Sequence, residues 1–134
     1  MLKINSDVVL DTNILVSALW SANGTPAQIV ENMGELTVYY NDEIMAEYKD
    51  VLLRDKFKGR FTDDEINGLL MYIEKFGKNI VAPKSDIPLP DEKDRIFYDT
   101  AKGSGSFLIT GNVKHYPKES FILTPAEFLN LSMD

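Results

Sequence analysis

Asp11 stands directly after the apolar run Val8-Val9-Leu10, and Thr12-Asn13 then open a predicted helix. In open α/β sheets, sites form beyond the carboxyl ends of the strands, where the strand order reverses. An acid at that place either caps the next helix or faces such a crevice. Other residues carry similar double readings. Glu47 lies mid-helix beside Ile44, Tyr48 and Val51, either as the exposed partner of a base or as a ligand looking into a cleft. Asp94 falls in the first turn of a helix capped by Asp91, where the positive end of the helix dipole favours an ionised carboxylate. Asp99 comes five residues later, about 140° round the helix, which argues against both acids touching one metal directly. Asn112 follows Leu108-Ile109-Thr110-Gly111, just past another predicted strand end. Its carbonyl oxygen could ligate Mg²⁺ without bringing charge.

Composition narrows the chemistry to these carboxylates. The 134 residues include no cysteine, which removes thiol nucleophiles, Cys-ligated zinc and iron–sulfur clusters. The single histidine, His115, excludes His₂ and His₃ metal sites within one chain. It reads more readily as a turn residue than as a general base. Asp and Glu number 21 and the net charge is −7. That balance disfavours holding nucleic acid by bulk electrostatics. It does not exclude an enzyme that meets phosphates through bound metal ions, which invert the local charge logic. Arg54, Lys56, Lys58 and Arg60 surround only Asp55. They either complement the end of the preceding helix or grip an RNA backbone or an acidic partner segment. Lys114, His115 and Lys118 form a smaller basic group near Asn112. No leader-like N-terminus and no apolar run of ~18 residues is present, so no membrane partner and a cytoplasmic location are expected.

The elements that must position these residues alternate. Predicted strands are Val8–Leu10, Leu36–Tyr40, Asn79–Val81, Phe107–Thr110 and Phe121–Leu123, mostly apolar on consecutive positions, as buried parallel strands are. Helix starts are marked at Thr25-Pro26-Ala27-Gln28, Thr62-Asp63-Asp64-Glu65 and Thr124-Pro125-Ala126-Glu127. Further helices are predicted over Glu43–Leu53 and, capped by Asp91, over Glu92 to Lys102 with a stop at Gly103-Ser104-Gly105. Ala82 to Pro90, with three prolines, is a loop too short to serve as an interdomain linker, so one domain over 1–134 is expected. Strand–helix alternation predicts parallel crossovers and a three-layer α/β/α sandwich.

These landmarks together resemble the PIN domain family, in particular small prokaryotic PIN proteins regarded as toxins of toxin–antitoxin pairs. The resemblance covers nearly the whole chain. It is carried by Val9-Leu10-Asp11-Thr12-Asn13 with Ser17, by Glu47 in its helix leading to Arg54-Asp55-Lys56-Phe57, by Asp94 seven residues before Ala101, and by Leu108-Ile109-Thr110-Gly111-Asn112. It implies a central, mainly parallel five-stranded sheet in the order 3-2-1-4-5, which brings four distant segments to one cleft. It further implies a Mg²⁺- or Mn²⁺-dependent endoribonuclease that leaves 5′-phosphate and 3′-hydroxyl ends. In that reading Asp11 and Asp94 are the principal metal ligands, and Glu47 binds metal directly or through water. Asp99 is an additional acid, and Asn13, Ser17 and Thr110 orient carboxylates or water. Arg54, Lys56, Lys58, Arg60 and Lys114 contact RNA or a partner. The implied partners are an RNA substrate, an antitoxin protein and a second copy of the chain. Asn112 departs from the family pattern, in which an acid is common there, and this weakens a second metal position most.

Two rivals remain. A phosphoacceptor signalling domain would suit the length and acidity. However, it requires an acidic pair after the first strand and a lysine after the fifth, and neither is present. A PIN fold retained only for binding RNA or protein is supported by Asn112.

Overall fold

Val8, Val9 and Leu10 are fully buried in succession, as a strand covered on both faces requires. They belong to β1 (Ser6–Leu10). The computed structural model describes residues 6–54 and 59–132. After β1 come α1 (Thr12–Trp20), α2 (Thr25–Glu31), β2 (Leu36–Tyr40), α3 (Asp42–Leu52), α4 (Asp63–Phe76) and β3 (Lys78–Asn79). α5 (Arg95–Ser104), β4 (Phe107–Ile109), β5 (Ile122–Leu123) and α6 (Pro125–Ser132) follow. The strands form one parallel sheet in the order β3-β2-β1-β4-β5. β1 pairs with β2 on one side and β4 on the other, with Val8 opposite Val38 and Leu10 opposite Ile109. The chain therefore leaves the ends of β1 and β4 in opposite directions and opens a crevice there.

Two groups of helices, α1–α2–α6 and α3–α4–α5, pack against the sheet. Tyr48, Phe97, Tyr98 and Phe128 are the largest of the fully buried side chains. Each is worth about 1.5–3 kcal/mol of apolar burial. Tyr48 of α3 also donates its hydroxyl to the Leu10 carbonyl at 2.6 Å, tying that helix to the end of β1. Among the described residues no helix is long and apolar enough to cross a membrane.

Local signals succeeded where a side chain could close the cap by itself. Thr62 and Glu65 form the full reciprocal box at the start of α4. Thr124 and Glu127 do the same before α6. At α2 the predicted cap moves: Gly24 is the N-cap, Thr25 is already helical, and no side chain caps. The predicted helix from Glu92 is also corrected. Asp91 accepts from the Lys93 amide to close a 3₁₀ turn over Glu92–Asp94, and α5 begins only at Arg95. α5 ends at Gly105 with φ 69°, a left-handed stop suited to glycine.

The third strand differs most from expectation. Pairing covers Lys78–Asn79, both exposed, and the ladder ends when the Ile80 amide donates to Tyr40. Val81 is 81% exposed. β3 is thus a short edge strand, stopped by the run into Pro83, which has no amide to pair. Before it, Gly77 lets α4 turn tightly against β2, since a Cβ there would meet the Ile73 and Val38 carbonyls at 2.5 and 2.6 Å.

Candidate active site

Asp11 occupies the N-cap position of α1, yet its side chain makes no capping bond. Its backbone is anchored instead, the amide donating to Ile109 at 3.0 Å, so the residue is fixed between the ends of β1 and β4. The carboxylate turns into the crevice and is only 7% exposed. There Oδ2 accepts from the Thr110 hydroxyl at 2.9 Å and from the Tyr116 hydroxyl at 2.8 Å. Thr110 Oγ1 in turn accepts from Asn13 Nδ2 at 3.3 Å and from the Asn112 amide at 3.0 Å. Asn13 Oδ1 accepts from the Gly111 amide at 2.9 Å. The loops after β1 and β4 are thereby laced together around one carboxylate. Burial, and then the charge of Asp11, push the Tyr116 hydroxyl well above the usual range, so it stays protonated and remains a donor.

Asp94 closes the 3₁₀ turn before α5, and its side chain makes no cap bond either. Its Oδ2 is buried without a hydrogen-bond partner. The His115 imidazole stands beside it, with Nδ1 at 3.8 Å. Burial, then the charges of Asp11 and Asp91, raise the Asp94 carboxyl from 3.8 to about 6, against the pull of His115. Glu47 is half-buried on α3 and is also raised, first by burial and next by Asp50, with Asp11 adding to the push and Arg54 and Lys93 opposing it. Asp11, Glu47 and Asp94 therefore share one electrostatic neighbourhood. Beside Asp11, the buried Thr12 Oγ1 is the second polar atom left without a partner.

Buried anionic oxygens lacking donors are what a bound cation would relieve. Hard carboxylate oxygens suit Mg²⁺ or Mn²⁺, and Mg²⁺ commonly keeps several waters while bound by one or two carboxylates. Asp11 and Asp94 fit that pattern, and Glu47 could join through water. Among the described residues no three acidic or imidazole side chains are gathered closely enough to hold a metal by themselves.

Other residues singled out in the sequence lie elsewhere. Asp99 does not face the crevice. Its two oxygens accept from the Ser85 hydroxyl at 2.6 Å and the Ser85 amide at 3.0 Å, holding the proline-containing loop to α5. Its turn of the helix is set by the same geometry that separates it from Asp94. Ser17 is exposed on α1, and its side chain makes no hydrogen bond among the described residues. Asn112 is exposed and touches the network through its amide alone. Arg54 pairs with Asp50 at 3.0 Å. Arg60 donates to the Trp20 carbonyl at 2.9 Å and lies over the Trp20 ring at 4.4 Å. Lys114 is exposed on the turn that also presents His115. Lys56 and Lys58 lie outside the described residues. Sequence reasoning missed Tyr116, which is separated from Asp11 by 105 positions. His115 lies in a turn, as expected, and also stands beside Asp94.

Comparisons with known proteins bear on the family and the fold. The family model described as PIN domain matches residues 7–114. An uncharacterized protein of Methanocaldococcus jannaschii is 31% identical over 117 residues, covering 84% of this chain and 74% of that protein. The fold resembles PAE2754 from Pyrobaculum aerophilum, with a TM-score of 0.61 and 15% identity, covering 96% of this chain and 90% of that one. It also resembles VapBC2 from Rickettsia felis, solved bound to a DNA fragment from its promoter, with a TM-score of 0.55 and 16% identity, covering 88% and 96% of the two chains.

Proposed function

The chain belongs to the PIN domain family, and on that premise we propose that it is a Mg²⁺- or Mn²⁺-dependent endoribonuclease acting as one domain over residues 1–134. Members of the family are generally metal-dependent nucleases. The observation that carries the reading is the buried Asp94 oxygen, which has no hydrogen-bond partner and feels the charges of Asp11 and Glu47. Asp11 and Asp94 would hold the ion, and Glu47 would hold a water on the α3 side. When bound, the metal supplies Lewis acidity at the phosphate and lowers the pKa of water.

The residues themselves do the positioning. Tyr116 and Thr110 fix Asp11 through one oxygen, Oδ2. Asn13 and the Gly111 amide keep the Thr110 loop in register with α1. In the proposed hydrolysis, water oxygen bonds to phosphorus as the bond to the 3′-oxygen breaks. The 3′-oxygen takes a proton, and the downstream product keeps the phosphate on its 5′ end. We further propose a cytoplasmic role as the toxin of a toxin–antitoxin pair, with an antitoxin protein as partner and a homodimer as the assembly.

A second reading, a PIN fold kept for binding RNA or protein without cleavage, is favoured by neutral Asn112 and by the lack of a three-acid cluster among the described residues. Incubation with labelled single-stranded, structured and tRNA-like RNAs in Mg²⁺, Mn²⁺ or EDTA separates the two. The nuclease reading expects metal-dependent products with 5′-phosphate ends. Intact RNA throughout, with no heat of Mn²⁺ binding, supports the second reading.

A further inference from the structure

His115 is the one histidine of the chain and has no part in the hydrolysis derived above. It ends the 3₁₀ turn Val113–His115 that follows β4. The turn is closed by the His115 amide donating to the Asn112 carbonyl at 3.0 Å and the Tyr116 amide donating to the Val113 carbonyl at 3.2 Å. The next residue, Tyr116, is tied to Asp11 through its hydroxyl. The turn is thus anchored beside one candidate acid and presents its imidazole to another, with Nδ1 3.8 Å from Asp94 Oδ2. That separation is too long for a hydrogen bond, and the oxygen has no hydrogen-bond partner elsewhere. It lies within the span of two bonds of roughly 2.1 Å to a single ion. Asn112, at the start of the same turn, brings no charge and reaches the Asp11 network only through its amide. The donor atom that this turn offers to Asp94 is therefore a nitrogen.

We propose that His115 is a metal ligand, its imidazole joining Asp94 on one ion and making the site prefer a first-row transition ion such as Mn²⁺ to Mg²⁺. The inference rests on the reading that an ion is held at Asp94. Carboxylate and water oxygens suit Mg²⁺ and Mn²⁺ alike, whereas an imidazole suits transition ions, whose affinity rises from Mn²⁺ to Ni²⁺. Mg²⁺ dehydrates reluctantly and keeps water where the nitrogen would stand. Among the described residues no three acidic or imidazole side chains are gathered closely enough to hold a metal by themselves, so water completes the shell. The rival reading makes His115 only a counter-charge to Asp94. A ring 58% exposed would then compete with an ion for that carboxylate instead of helping to bind it, and the two readings predict opposite effects of removing the ring.

The test is pulsed EPR of Mn²⁺ bound to the untagged, metal-stripped protein in a nitrogen-free buffer. Calorimetric titrations of Mn²⁺, Ni²⁺ and Mg²⁺ into wild type, His115→Gln and Asp94→Asn accompany it. Because the sequence holds a single histidine, an imidazole nitrogen coupling on Mn²⁺ can come from His115 alone. Wild type should show that coupling and His115→Gln should lose it. His115→Gln should bind Mn²⁺ about tenfold more weakly and Ni²⁺ more weakly still, with Mg²⁺ affinity changed by no more than about twofold. Asp94→Asn should lose Mn²⁺ and Ni²⁺ binding together, as expected when carboxylate and nitrogen serve one ion. Mn²⁺ bound to wild type without nitrogen coupling overturns the proposal, whatever the variants do. So does equal or tighter Mn²⁺ binding by His115→Gln, which leaves His115 as a counter-charge, and so does Ni²⁺ binding that survives Asp94→Asn. RNA cleavage is scored separately. His115-dependent Mn²⁺ binding without cleavage would sink the nuclease reading alone. Metal-dependent cleavage with equal Mn²⁺ affinity in wild type and His115→Gln would sink the ligand role alone, and a wild type that binds none of the three ions would overturn both.

Discussion

Replacing Asp94 with asparagine should raise the melting temperature of the metal-stripped protein at pH 8 while removing its response to Mn²⁺. Asp94 is raised from 3.8 to about 6 in the fold, by burial first and by Asp11 and Asp91 next. A tenfold change in acidity is worth roughly 1.4 kcal/mol. The ionised carboxylate therefore costs the fold about 3 kcal/mol at most above pH 6. We take about 2 kcal/mol, because the side chain is 18% exposed and its charge is partly screened. The sign follows from proton linkage. Between its unfolded and folded pKa the native state binds the extra proton, so this group destabilises increasingly as pH rises from 4 to 6 and costs nothing once pH falls well below 4. For a chain of this size about 2 kcal/mol corresponds to roughly 5–10 °C. Calorimetric scans of wild type and Asp94→Asn after metal stripping, at pH 8, 6 and 4, read the effect directly. The gap should be largest at pH 8 and shrink toward pH 4. With excess Mn²⁺ at pH 8 the wild type should gain stability and the variant should not. A variant that melts lower than wild type at pH 8, or a gap independent of pH, would refute the claim that this oxygen is buried at a cost a cation relieves.

Three further outcomes follow from the same contacts. Tyr116→Phe removes one of the two donors on Asp11 Oδ2 and should lower metal affinity or cleavage about 10–100-fold, measured by calorimetry and by initial rates. Asp99→Asn leaves Ser85 with a weaker acceptor and should cost about 1–2 kcal/mol of stability in urea unfolding, with cleavage unchanged. Asn112→Asp adds a charge beside the Thr110 loop and should tighten Mn²⁺ binding, seen as a lower half-saturation concentration in cleavage assays.

The fold is legible in the sequence because its signals are local or repeated. Consecutive buried apolar residues mark β1 and β4, and the self-contained boxes at Thr62 and Thr124 mark helix starts. The element before α5 escapes such reading for a tertiary reason. Glu92 is drawn to the Arg95 guanidinium, which also holds the loop carbonyls of Ser85 and Ile87, and the tight turn this favours leaves Asp94 at the helix mouth. That shift is what frees the Asp94 carboxylate for the crevice. Among the candidate site residues, Asp11 is legible from its place after β1, since parallel strands put their carboxyl ends at one edge. Tyr116 is not, because a phenol between β4 and β5 has no periodic or capping signal. Only the return of the chain beside β1 brings it to Asp11. Asp99 shows the opposite failure: an acid close in sequence to Asp94 is turned by the helix toward Ser85.

The most direct test compares wild type, Asp94→Asn and Asp99→Asn in Mn²⁺ on the same labelled RNA panel. Cleavage by wild type and by Asp99→Asn, with none by Asp94→Asn, is the expected result. Cleavage by Asp94→Asn at the wild-type rate would contradict the assignment of the crevice as the nuclease centre.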